Sequence, residues 1–302
     1  MELANFKGEI KRNEPLSRHT SFAIGGPADI LAYPADRDDL ITLLREISKQ
    51  RLKYFILGGG TNLLVRDGGF RGVVITLERM GAIRIEREYR SVGGAFAAVF
   101  AEAGAPLPRL HLFAIDQGLT GLEFAGGIPG TVGGAVCMNA GTALGEFGDI
   151  VESVTLIAPD GEQVTRSRDE MGFGYRAANI PEGHLVVDVL VTLRRGDKEQ
   201  IKTRVKELFD KRKQRQPMGF PSAGSVFKNP YEESAGKLIE TAKLKGKTVG
   251  EAQVSERHAN FIVNRGKATA KDVLTLMEVV KQAVLEVHGV RLEPEIKILG
   301  ED

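Results

Sequence analysis

The stretch Gly121-Leu-Glu-Phe-Ala-Gly126-Gly127-Ile-Pro129-Gly130-Thr131-Val-Gly133-Gly134-Ala-Val-Cys137-Met-Asn139-Ala-Gly141 is dense in glycine and poor in side chains that can pack. Pro129 interrupts any helix through its start. Glycine lets a backbone take positive φ and come close to another group, and successive N–H groups in such turns make a concave anion site. Alone, the run is a tight loop between elements. A second run, Gly58-Gly59-Gly60-Thr61-Asn62-Leu-Leu, follows a predicted strand at 53–57. Two glycine cradles on one chain suit the two ends of a long diphosphate cofactor.

The 302-residue length accommodates two or three compact lobes. A formal net charge of +1 provides no global basic field for nucleic acid. No apolar run reaches the ~18 residues of a membrane span, and Met1-Glu-Leu-Ala-Asn-Phe-Lys7 lacks a basic-then-apolar signal pattern. The single cysteine, Cys137, excludes an internal disulfide framework and fits a reducing cytoplasm. Nothing in the sequence indicates a protein partner.

Working outward, Asp36 caps a predicted helix to about 50, with Leu40, Leu43, Leu44 and Ile47 on one face. A strand is expected at 72–77, and the small residues 95–103 are expected to form a helix stopped by Gly104. Beyond the central run, strands are expected at 151–158, 163–165 and 184–193, the first two joined by Pro159-Asp160-Gly161. Arg194-Arg195-Gly196-Asp197-Lys198 is expected to be a polar connector. A helix over 200–214 should turn Ile201, Val205, Leu208 and Phe209 inward. Its basic end, Lys211 to Arg215, complements the helix dipole, with phosphate binding the alternative. Another helix is expected near 234–242 and a short strand at 261–264. Thr269 caps a long helix to about His288, stopped by Gly289. An alternating strand at 290–298 carries Pro294 at an edge or kink.

The common nucleotide fingerprints fail. A P-loop ending in Gly246-Lys247-Thr248 needs glycine where Thr241 stands. Gly172-Phe-Gly174-Tyr175-Arg176-Ala177 follows a charged stretch rather than an apolar strand, which excludes a dinucleotide turn of the Rossmann kind. The histidines show no zinc-ligand spacing, so no metal is expected. His111, His184 and His288 are expected at the surface or in local bonds. Ala135, Val136 and Met138 suggest that Cys137 is a packed, inert thiol. Three polar positions stand out. Ser225 sits in the proline-bounded loop Pro221-Ser-Ala-Gly224-Ser225-Val-Phe-Lys228-Asn229-Pro230. Arg176 lies in a glycine-flanked turn, and Glu295 follows Pro294. An Arg fork suits a carboxylate, and a neighbouring carboxyl can share developing charge, although a serine in a turn is more often a turn bond.

Taken in order, Gly58-Gly-Gly-Thr-Asn-Leu-Leu, Gly127-Ile-Pro-Gly-Thr-Val-Gly-Gly, Gly174-Tyr-Arg176, Ala223-Gly-Ser225-Val-Phe-Lys-Asn-Pro and Leu292-Glu-Pro-Glu295 closely resemble the UDP-N-acetylenolpyruvoylglucosamine reductase (MurB) family of peptidoglycan precursor synthesis. The glycine runs belong to the wider flavin-oxidase-like fold; the serine loop and the Glu-Pro-Glu end are the more specific matches. The resemblance implies an α+β chain: a two-lobed FAD-binding domain of the flavin-oxidase (PCMH) type over 1–82 and 83–198, and a C-terminal α+β substrate domain over 199–302. It implies that NADPH reduces bound FAD and leaves, and that the enolpyruvyl UDP-sugar then takes hydride at C3.

By resemblance, Ser225 protonates C2, and Arg176 and Glu295 stabilise the enol or enolate. Tyr175, Asn229 and either Lys213 or Arg215 contact substrate. Gly58, Gly59, Gly60, Thr61, Asn62, Gly126, Gly127, Pro129, Gly130, Thr131, Gly133, Asn139 and Gly141 hold FAD. Ala178 and Ile180 depart from the family's usual Ser and Phe. The short segment before His184 resembles the subclass without an extra substrate-clamping Tyr loop. An oxygen-using flavin oxidase, or a non-catalytic binder of FAD or UDP-sugar, also accounts for the cradles but not for the serine loop.

Overall fold

The computed structural model describes residues 6–231 and 233–302; the signal-pattern reading of the first five residues lies outside them. The chain is α+β. Its elements begin with β1 (Glu9–Pro15), β2 (Pro27–Tyr33), α1 (Arg37–Lys49), β3 (Tyr54–Leu57), β4 (Leu63–Val65), β5 (Phe70–Thr76), β6 (Ile83–Ser91), β7 (Gly94–Glu102), α2 (Leu107–Asp116) and β8 (Leu119–Thr120). They continue with α3 (Val132–Cys137), β9 (Gly141–Thr142), β10 (Gly145–Glu146), β11 (Val151–Ile157), β12 (Gln163–Ser167) and β13 (Leu185–Arg195). The last are α4 (Lys198–Arg215), α5 (Ala235–Thr241), β14 (Thr248–Val249), β15 (Ala252–Val254), β16 (Ile262–Asn264), α6 (Ala270–His288) and β17 (Lys297–Leu299).

The chain divides into two compact units. Among the described residues, the first holds those up to 11, 31–59 and 73–211; the second holds 12–30, 60–72 and those from 212 to 302. In the first unit, Asp36 caps α1 by accepting from the Asp39 amide, and Leu40, Leu43, Leu44 and Ile47 are all buried. β3 runs parallel to β5, from Tyr54 opposite Val73 to Leu57 opposite Thr76. A larger sheet follows the order β12-β11-β13-β7-β6, with β8 beside β13.

Residues 95–102 lie in β7 and Ala103 in the turn after it, so the expected helix over 95–103 does not form. β7 is hydrogen-bonded on both sides, to β13 and to β6, and Ala97, Ala98 and Ala101 are fully buried. Alanine has the strongest intrinsic helix preference, but it amounts to less than about 1 kcal/mol per residue, and a central place in a sheet outweighs it. Its small side chains also let α3 lie close to the strand. A Cβ on Gly133 would come within 2.8 Å of the Ala103 Cβ, and the Gly133 amide donates to the Ala103 carbonyl. Two further expectations fail here. Arg194 and Arg195 complete β13 instead of forming a connector, and α4 buries only Ile201, leaving Phe209 39% exposed.

The second unit has its own core. Phe22, Ile24, Leu64, Val226, Phe227 and Ile296 pack with α5, β15, β16 and the inner face of α6. Thr269 and Asp272 form a reciprocal capping box at the start of α6, and Gly289 ends it at φ +70°. The terminal strand is shorter than the alternation of 290–298 predicts. Its regular ladder is confined to β17, parallel to β4, and Pro294 makes an isolated antiparallel bridge with Phe227. Before β17, the Glu293 carbonyl accepts from the Lys228 amide and the Glu295 amide donates to the Val226 carbonyl. Those groups are turned to the serine loop and are lost to a regular ladder. No helix among the described residues is long and apolar enough to cross a membrane.

Candidate active site

In the first unit, the central glycine run and the end of the Gly58 run meet through their backbones. A Cβ on Gly59 would lie 2.7 Å from the Gly130 Cα, and one on Gly58 would lie 2.8 Å from Thr131 Oγ1. Gly127 and Gly130 take φ of +77° and +108°. Real Cβ contacts at such distances do not occur, so glycine is required at 59 by close approach and favoured at 130 by conformation. Gly58, Gly59 and Pro129 are exposed, while Gly126 is buried. Thr131 caps α3, its hydroxyl accepting from the Gly134 amide. This seam of closely approaching glycine backbone fits the diphosphate-bearing FAD predicted for it.

At Gly133 a Cβ would meet Ala103 at 2.8 Å, so a side chain there would displace α3. Gly141 pairs with Glu146 in the β9–β10 ladder. Asn139 is fully buried at φ +40°. Its Oδ1 accepts from the Gly148 amide at 2.8 Å, and its Nδ2 donates to the Gly174 carbonyl at 3.0 Å.

That carbonyl belongs to the turn carrying Arg176. Gly174 and Ala177 exchange both backbone hydrogen bonds, at 3.0 and 3.1 Å, with Tyr175 and Arg176 between them. Arg176 takes φ +56°, a conformation that suits glycine and costs another residue about 1 kcal/mol. The guanidinium carbon lies 5.2 Å from the centroid of the half-exposed Tyr175 ring.

In the second unit the structure brings Ser225 and Glu295 onto adjoining backbone. Ser225 bridges Phe261, and the next residue, Val226, donates to the Asn260 carbonyl and accepts from the Glu295 amide at 2.7 Å. Both side chains are half-buried. Gly224 reaches this position at φ +76°. The loop is anchored along its length: Ser222 donates to the Ser21 carbonyl, and Pro221 accepts from the Asn264 amide. Buried Asn260 binds both backbone groups of Phe227, at 3.0 and 2.8 Å. Asn62 holds the other side: its Nδ2 donates to the Glu295 carbonyl at 3.2 Å, and its own carbonyl accepts from Lys297. Gly60, at φ +61°, packs so closely that a Cβ would meet the His19 carbonyl at 2.0 Å. Thr61 is half-buried.

Asn229 is exposed, and its Oδ1 accepts from the Ala235 amide at the start of α5. Lys213 and Arg215 are both exposed, and the Lys213 carbonyl accepts from Arg257. His111 corrects a sequence expectation. It is 6% exposed, and its Nε2 has no hydrogen-bond partner among the described residues. Burial pushes its pKa down, opposed in part by Glu123. Helical spacing on α2 alone gave no sign of this. Cys137 is half-buried at the end of α3, less packed than its apolar neighbours suggest. Sequence reasoning also missed Asn260 and the amide roles of Asn62 and Asn139, because an isolated Asn carries no spacing signal. Among the described residues no group of three or more His, Cys, Asp or Glu is placed to hold a metal.

A family model described as the C-terminal domain of UDP-N-acetylenolpyruvoylglucosamine reductase matches residues 216–299, and one described as an FAD binding domain matches 28–167. A UDP-N-acetylenolpyruvoylglucosamine reductase of Caldanaerobacter subterraneus subsp. tengcongensis is 46% identical over 98% of this chain and 95% of its own length. The chain belongs to this reductase family. A relative of the same name from Geotalea uraniireducens is 44% identical over 99% of this chain and 97% of its own length. The crystal structure of the family's reductase from Thermus caldophilus superposes with a TM-score of 0.82 at 37% identity, covering 97% of this chain and 99% of that one. The fold is therefore an FAD-binding domain joined to the family's C-terminal α+β domain.

Proposed function

We propose that Ser225, Arg176 and Glu295 carry the reaction of this FAD-dependent oxidoreductase, the NADPH-dependent reduction of UDP-N-acetylglucosamine enolpyruvate to UDP-N-acetylmuramate in peptidoglycan precursor synthesis. Bound FAD supplies the hydride relay between NADPH and the substrate. The residues of this chain supply what hydride transfer leaves unfinished: a proton for the neighbouring carbon and stabilisation of the charge that accumulates meanwhile. A hydroxyl is a weak acid, yet it serves when the acceptor is a strongly basic, carbanion-like carbon and the donor is held in reach. The observation that carries the reading is the shared frame of Ser225 and Glu295, fixed through Val226 and braced by Asn62 and Asn260. A serine in an ordinary surface turn has no need of such bracing. Arg176, a guanidinium on a constrained turn, suits the substrate carboxylate.

On this reading the glycine seam of Gly58, Gly59, Gly127 and Gly130 holds FAD. Lys213 or Arg215 meets the UDP diphosphate, and Tyr175 and Asn229 line the substrate side. The binding partners are the UDP-sugar and NADPH. The three-lobe division at 82 and 198 remains part of the proposal, as does a cytoplasmic location, which the lone Cys137 supports. The test is single-turnover oxidation of prereduced enzyme by the enolpyruvyl sugar nucleotide. Ser225→Ala should bind FAD and accept hydride from NADPH normally, while the enolpyruvyl step slows by about 10²–10⁴. Oxidation at the wild-type rate would reduce Ser225 to a loop-shaping residue.

A further inference from the structure

Asn139 stops α3. Its amide donates to the Val136 carbonyl and the following Ala140 amide to the Ala135 carbonyl, the paired bonds of a left-handed helix stop. Asparagine tolerates that conformation well, which accounts for the residue type at φ +40°. It does not account for the side chain, which is fully buried and spans two segments distant in sequence. Oδ1 takes the Gly148 amide, and Nδ2 takes the Gly174 carbonyl. Gly148 is itself wedged against the next loop: a Cβ there would lie 2.7 Å from Phe173 Cγ.

The Gly174 carbonyl thus accepts two bonds, one from Asn139 Nδ2 and one from the Ala177 amide that closes the turn around Arg176. A turn with a non-glycine residue at φ +56° keeps that geometry only when its surroundings hold it. We infer that Asn139 is a positioning residue for the enolpyruvyl half of the reaction, fixing the Arg176 turn to the end of the glycine-rich helix α3 through the Gly174 carbonyl. The inference rests on the reading of Arg176 as a substrate-stabilising group. The central glycine run then acts twice, because the segment expected to hold FAD also sets the register of the turn that presents the guanidinium.

Asn139→Asp separates the two bonds. The carboxylate keeps an acceptor for Gly148 and tolerates the left-handed backbone, but it loses the donor and sets negative charge against the Gly174 carbonyl. The enolpyruvyl step of the variant should slow by about 10²-fold, the scale of a misplaced catalytic group, and far more than its reduction by NADPH. Amide exchange at Ala177 should accelerate in the same protein, with or without substrate. In an Arg176→Ala background, itself slowed about 10²–10³-fold in the same step, Asn139→Asp should add little, because both changes remove one interaction.

Failure of the Arg176 reading shows as an unimpaired enolpyruvyl step in Arg176→Ala alone. Failure of the present inference shows as a slow Arg176→Ala with a fast Asn139→Asp, as an undiminished Asn139→Asp effect in the double variant, or as unchanged Ala177 exchange. Loss of FAD from Asn139→Asp, or equal slowing of both half-reactions, would return the residue to cofactor holding and overturn the inference. Should the aspartate prevent folding, Asn139→Gly removes both side-chain bonds while keeping the backbone unstrained. If neither variant folds, Asn139 is a folding residue and the inference falls.

Discussion

The glycine seam and the serine loop both consist of backbone and short side chains, but they are built by opposite means. The seam is made by omission. Gly59 and Gly130 touch through their backbones because neither has a Cβ, and the backbone bonds of 130–133 beyond α3 reach only the neighbouring 103–107 segment. The serine loop is made by attachment. Ser21, the 260–264 segment and the 293–295 segment hold it from three separate places in the chain. A segment made by omission tolerates no added atom, whereas one made by attachment fails when a distant partner is cut.

The sharpest test of that contrast is Gly59→Val. A Cβ at 59 has no space beside Gly130, so the variant should purify without flavin, seen as loss of the yellow absorbance, with the second unit still folded. Stoichiometric FAD in this protein would break the comparison by showing that the seam is elsewhere or can open.

The complementary test is Asn260→Ala, far in sequence from Ser225. It leaves the buried amide and carbonyl of Phe227 without their partner, each worth about 1–3 kcal/mol when unsatisfied. Denaturant unfolding should show a loss of roughly 2–4 kcal/mol. The enolpyruvyl step should suffer while FAD is retained. Unchanged stability would mean that the loop holds itself and that the two regions are built alike.

A smaller effect belongs to His111, which packs behind the seam. Its native pKa is lowered, chiefly by burial, whereas in the unfolded chain it lies near about 6.5. Above that value neither state holds the proton, and His111 contributes no pH dependence. As pH falls below it, the unfolded chain binds the proton first, so native stability declines until the folded pKa is reached. His258 is lowered by burial in the same direction. Between about pH 7.5 and 5.5 the wild-type Tm should therefore drop, and His111→Met should drop less. An identical decline in both would remove His111 as a contributor to the acid sensitivity of this side of the molecule.

The amino-acid sequence by itself determined what depends on neighbours in the chain. Asp36 and Thr269 cap their helices and Gly289 stops one, because caps act within a single turn. The glycine runs were legible for the same reason, as was the family, since its motifs recur in order. Only the tertiary structure decided what depends on neighbours in space. It turned 95–102 into the central strand β7, because sheet partners on both sides outweigh the small per-residue helix preference of alanine. It shortened the terminal strand by turning Glu293 and Glu295 toward the serine loop, and it buried His111 without a partner for Nε2 among the described residues. It also set Asn62, Asn139 and Asn260 as braces. A side-chain amide has one donor end and one acceptor end to join any two backbone groups within reach, and which groups come within reach is fixed only when the chain has folded.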